Sequence, residues 1–188
     1  MESKSISEIK KKVIHNRNMD ILTYSCENEN SIVVEGRLKD DRLVNYYVVG
    51  GEQKPPGTIH HMVIRMLVTG PTLTISDIEA EMLEIPREQC PEIACCVKKI
   101  KGINIAPGMT EKVKKLLSGV NGCAHLTHLL LTMASAAVQG YWTNRAQHPI
   151  PNPKPDDPII QFLLDTCHVW RKDGPLVEQM KILIESTN

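Results

Sequence analysis

Ile59-His60-His61-Met62-Val63-Ile64-Arg65-Met66-Leu67-Val68-Thr69, closed by Gly70-Pro71, is the stretch on which the fold turns. Met62, Ile64, Met66 and Val68 stand at every second position with Arg65 and Thr69 on the other side, which is the period of a strand with one apolar face. His60 opens that face. Past Gly70-Pro71 the alternation resumes from Ile75 to Leu83, with Ile78, Ala80 and Met82 set against Asp77, Glu79 and Glu81, and predicts a paired edge or solvent-facing strand. Upstream, Ile32 to Lys39 alternates apolar and polar residues. Leu43 to Val49 is β-branched and aromatic, and Gly50-Gly51 through Pro55-Pro56-Gly57 is dense turn signal. An antiparallel meander follows from this order.

Downstream the period changes. Ile93, Cys96, Val97 and Ile100 fall at helical spacing and predict a short helix over 86–99, with Pro86 tolerated in its first turn. Thr110 to Leu117 has a threonine cap and a Gly119 stop, and predicts a second short helix. The longest helix is expected from Ala124 to Trp142, where Leu126, Leu129, Leu130, Met133, Ala137 and Val138 share one face. The fold class is therefore α+β: an antiparallel sheet packed on helices, one of them long and in the C-terminal half.

The 188 residues divide, on this reading, into a single α+β domain over 1–146, a linker over 147–158 and a tail over 159–188 that packs on the core. The linker holds five prolines, which make it stiff. Apolar runs in the tail are too short to separate helix from strand.

Charge excludes some partners. With 22 basic and 22 acidic residues there is no basic field to gather nucleic acid, and one Phe, two Trp and four Tyr leave few stacking platforms. No segment approaches the ~20 apolar residues that span a bilayer, and Met1 to Lys12 lacks an apolar leader, so a soluble cytoplasmic protein without membrane or nucleic-acid partners is expected. Six cysteines there are expected to be reduced. No glycine-rich loop between strand and helix supports a nucleotide site, and no serine elbow supports hydrolysis.

Two cysteines stand where helices begin: Cys90 in Gln89-Cys90-Pro91, and Cys123 in Gly122-Cys123-Ala124-His125. Unpaired N–H groups and the positive dipole end favour a thiolate at such places. His125 and His128 lie within a turn of Cys123, and Asp165-Thr166-Cys167-His168 offers two more soft ligands. The alternative for each is structural. Cys26 and Cys96 read as packing, His60 as a satisfied buried imidazole, His15, His61 and His148 as surface or loop residues, and Asp165 to His168 as a turn.

The Ile59-His60-His61-Met62, Cys90, Gly122-Cys123-Ala124-His125-Leu126 and Asp165-Thr166-Cys167-His168 signatures resemble those of an uncharacterised bacterial family of unknown function, from about His15 onward. The order of elements between residues 58 and 142 also resembles the scaffold family for iron–sulfur cluster assembly. That resemblance places His60, Cys90 and Cys123 at the scaffold's three cysteine positions. It departs at Met62, where the scaffold has an acidic residue, at Gly122, where it has a histidine, and around Val120, where its chaperone motif is missing.

The expected function is a metal-binding protein holding zinc or an iron–sulfur cluster through His60, Cys90, Cys123, His125, Cys167 and His168. Two thiolates with imidazoles suit tetrahedral zinc; an iron–sulfur cluster requires about four ligands, mostly cysteine. Two alternatives stand beside it: a metal-free module for a small ligand or partner protein in the groove between sheet and long helix, and a thiol-dependent enzyme with Cys123 as nucleophile and His125 as base. The oligomeric state is open.

Overall fold

The computed structural model describes residues 5–148 and 163–185. Its centre is a four-stranded antiparallel sheet in the order β1-β2-β5-β6, formed by β1 (His15–Ser25), β2 (Ser31–Arg42), β5 (Gly57–Thr69) and β6 (Thr74–Glu84). Between β2 and β5 a small ribbon pairs β3 (Tyr46–Tyr47) with β4 (Gln53–Lys54). The alternation from Met62 to Val68 is realised: Met62, Ile64, Met66 and Val68 are buried on one face. Ile32, Val34 and Leu38 of β2 join them from register-matched rows. Each such side chain contributes about 1.5–3 kcal/mol on leaving water.

Helices cover that face alone. The short helix expected over 86–99 is a 310 helix, Cys90–Ile100, which buries Cys96, Val97 and Ile100. α1 (Met109–Leu117) buries Met109, Val113 and Leu117. α2 (Ala124–Arg145) crosses the sheet and buries Leu126, Leu129, Leu130, Met133 and Ala137. Its close approach depends on Gly36 of β2, where a Cβ would run into the Met133 thioether and Leu129 Cδ1, the latter at 3.2 Å. A last helix, α3 (Pro175–Glu185), supplies the buried Val177, and Leu163 packs on the core. The tail segment whose type the sequence left open is thus helical at its end. The proline-rich linker falls largely on 149–162, outside the described residues.

One further local expectation changes. Leu43 to Val49 forms only the two-residue β3, because a tight turn closes on Gly50 and Gly51, both at positive φ, and nothing packs on the exposed Tyr47 and Val49. β1, which shows no clean alternation, is an edge strand. Its Met19 and Ile21 touch the core while Leu22 and Tyr24 face solvent.

Candidate functional site

Three of the strands end their apolar face in a polar row. Arg17 of β1 and Asp40 of β2 are register partners, and so are Asp40 and His60 of β5. All three side chains therefore rise on the helix side of the sheet. A register shift follows immediately, between Asp40 and Asp41, and such irregularities re-aim side chains at strand ends. The Asp40 side chain is 1% exposed, and a carboxylate so buried requires cationic or N–H partners.

Asp40 has them. Arg17 Nε donates to Oδ1 and Nη2 to Oδ2, each at 2.6 Å. His60 Nδ1 donates to Oδ2 at 3.0 Å, and His15 Nε2 stands 3.5 Å from Oδ1. The guanidinium, and after it His60, hold the Asp40 carboxyl below its ordinary range against the opposing effect of burial; Arg17 is pushed up in return.

α2 delivers the fourth partner. Gly122 brings the chain so close to the end of α1 that a Cβ there would overlap the Leu117 carbonyl and stand 2.9 Å from Leu117 Cα. Cys123 is then the N-cap residue of α2, in extended conformation, and Thr127 of the first turn donates to Leu117 O at 3.1 Å. This anchoring aims His125 down onto the polar row. Its ring centroid lies 3.9 Å from that of His60, with the planes tilted by 33°, and its Nε2 lies 3.8 Å from Asp40 Oδ2. Burial first, and then the charges of His60 and Arg17, push the His125 imidazole below its usual value, so the neutral ring is favoured. On the other side of the ring, Cys123 Sγ is 3.9 Å from Nδ1.

Asp40, His60 and His125 thus offer three ligand atoms within 4.8 Å of one another, the one such group among the described residues. Of the positions expected from the sequence, the structure brings His60 and His125 together with Cys123 beside them. Cys90 is a half-buried first residue of the 310 helix and belongs to no ligand group among the described residues. Cys167 and His168 are exposed, and His168 contacts Arg171. His128 is exposed on α2; Cys96 is buried, with its thiol at the backbone of Cys123.

Sequence reasoning missed Asp40, Arg17 and the approach of His15. A signal existed for Asp40: extending the even-numbered face of Ile32, Val34 and Leu38 by one more step puts a carboxylate on the buried side.

No helix among the described residues is long and apolar enough to cross a membrane. No curated protein and no solved structure matches the chain. A family model matches residues 15–139, a span that contains Arg17, Asp40, His60, Cys123 and His125 and stops before Cys167 and His168. The chain belongs to the family described as Protein of unknown function (DUF2889).

Proposed function

We propose that the protein binds a single divalent transition-metal ion through Asp40, His60 and His125. The observation that carries this reading is the convergence of one carboxylate oxygen and two imidazole nitrogens within 4.8 Å. Ligands at about 2.0–2.1 Å from a tetrahedral centre stand roughly 3.3 Å apart; the Asp40 Oδ2 distances of 3.0 Å to His60 and 3.8 Å to His125 bracket that value. Two nitrogens and one oxygen suit zinc or iron(II) and leave positions open, whereas an iron–sulfur cluster calls for thiolates that this group lacks.

Arg17 fits the same scheme. It supplies the positive charge that Asp40 requires, and its two-point grip on Oδ1 and Oδ2 fixes the carboxylate with Oδ2 on the side of the two imidazoles. The arrangement is that of a ligand carboxylate oriented by an outer partner.

The test is zinc and anaerobic iron(II) titration of the full chain, with elemental analysis of the purified protein. About one equivalent is expected, with affinity reduced at least tenfold in His60→Gln and in His125→Gln and kept in Cys90→Ser and Cys167→Ser. Unchanged affinity in the His60→Gln/His125→Gln double variant would overturn the assignment.

A second reading is favoured by one observation: Cys123 Sγ, His125 and Asp40 stand in line at 3.9 and 3.8 Å, the order of a thiol nucleophile, its base and the group orienting that base. Faster alkylation of Cys123 than of a model thiol at neutral pH supports it; an equal rate in the metal-free protein removes it.

A further inference from the structure

We infer that the protein pairs with a second copy of itself through β1, the two edge strands running antiparallel to extend the sheet. This does not rest on the metal reading.

The two sheet edges are treated differently by the fold. β6 is shielded over its first residues: Ile75 N donates to Ile103 O, Gly102 N to Ile75 O and Ile105 N to Leu73 O, with a further bridge between Thr74 and Asn104. It also carries Asp77, Glu79, Glu81 and Glu84, charges of the kind that discourage pairing. β1 has no such shield and carries a single acid, Asp20. It runs for 11 residues with no proline, glycine or lysine, and its pairing with β2 shows no bulge. Its one basic side chain apart from His15, Arg17, is committed to Asp40. Among the described residues nothing pairs with its outer edge. A long, regular edge without these devices presents a row of backbone donors and acceptors ready for another strand.

Charge at the two ends of β1 selects the occupant. Lys10, Lys11 and Lys12 lie just before it, and Glu27 and Glu29 just after it, in the turn to β2. None of these side chains takes part in an ion pair among the described residues. Antiparallel pairing of two identical strands about Met19, which sets Asp20 opposite Asn18 of the other copy, brings the start of each copy to the end of the other. Each lysine run then meets the other copy's Glu27 and Glu29. Parallel pairing would set lysines against lysines. A chain thus complements itself in one direction, which is the property of an isologous twofold interface. The exposed Ile6, Ile9, Val13 and Ile14 before β1, and Leu22 and Tyr24 on it, supply apolar surface along the same edge.

The experiment is sedimentation equilibrium of the full chain over a concentration series, alone and as charge variants. A reversible dimer is expected. Lys10→Glu/Lys11→Glu/Lys12→Glu should weaken it about tenfold or more, Glu27→Lys/Glu29→Lys likewise, and the combined five-site swap should restore it, since the pairs are then re-formed with reversed signs. Leu22→Lys/Tyr24→Lys, on exposed side chains, should abolish it while the circular dichroism spectrum is unchanged. A protein monomeric at every concentration, including one whose β1 edge serves another partner, overturns the inference. So does a dimer indifferent to both charge reversals and to Leu22→Lys/Tyr24→Lys.

Discussion

Arg17 and Asp40 face each other across β1 and β2, and the guanidinium meets both carboxylate oxygens at 2.6 Å. The row continues through Asp40 to its next register partner, His60, so three strands place cation, anion and imidazole in one line. The opposite face of the same sheet has its own version, where Glu35 accepts from Arg37 at 2.8 Å and from Arg65 at 2.7 Å. In that second network the two guanidinium groups reach water while Glu35 is buried beneath them. The Asp40 row lies under the start of α2, where His125 reaches it.

Removing the cation from this row should be costly. Arg17→Met leaves the buried Asp40 charge with His60 as its main partner, and loss of one member of a buried pair typically costs about 3–5 kcal/mol. The Arg17 side chain is 38% exposed, so water relieves part of that, and about 2–3 kcal/mol is expected in urea unfolding. If Asp40 is a metal ligand, zinc should raise the melting temperature of Arg17→Met by more than that of the native chain, because the ion then supplies the missing positive charge.

Acidification should destabilise the fold in two steps. The His125 imidazole titrates lower in the folded chain than its ordinary value of about 6.5, so the unfolded chain takes up the proton first. Stability is therefore full above that value and declines as pH falls from it toward the folded pKa. Asp40 is depressed as well; its contribution is present above the ordinary carboxylate range and is lost as pH falls through its lower folded value. Urea midpoints measured from pH 8 to pH 3 should show both declines. His125→Gln should remove the first and keep the second.

Much of this was legible in the sequence, and the reason is period. Met62 to Val68 and Ile78 to Met82 alternate cleanly because one face meets the helices and the other carries charged side chains such as Arg65, Glu79 and Glu81. Leu126 to Ala137 keeps helical spacing for the same reason. β1 was not legible, since Met19 and Ile21 face the core while Leu22 and Tyr24 occupy the other side, which erases the contrast that periodicity relies on. His60 and His125 drew notice through their places on a strand face and at a helix start. Arg17 and Asp40 did not, because Asp40 sits in Lys39-Asp40-Asp41-Arg42, which reads as a solvated charge run. What buries Asp40 is register with residues 23 positions before it and 20 after it, and no local window holds that information.

At the far end of α2, Gly140 permits contact with β1. A Cβ there would stand 2.8 Å from Thr23 Cβ, an atom that no rotamer change can move. Gly140→Ala should cost about 1–3 kcal/mol by overpacking, read as a lower urea midpoint. The polar row lies at the other end of the helix, so metal affinity in the folded variant should be that of the native chain.

Gly122→Ala should lower metal affinity as well as stability. Its backbone is extended, with φ at −165°, so an alanine is not strained by conformation. The obstacle is space, because the added Cβ overlaps the Leu117 carbonyl and Leu117 Cα belongs to the packed end of α1. The chain must back away there, and the residues that move with it are Cys123 and the first turn of α2. The Thr127 bond to Leu117 O and the 3.8 Å approach of His125 to Asp40 depend on that turn. A shift of about 1 Å is enough to spoil such a constellation. Global stability should fall by about 1–3 kcal/mol, as at Gly140, yet zinc affinity should drop as it does in His125→Gln. The two glycine variants measured side by side separate general loosening from displacement of one imidazole. Equal zinc affinities in folded Gly122→Ala and Gly140→Ala would show that the start of α2 does not set the position of His125.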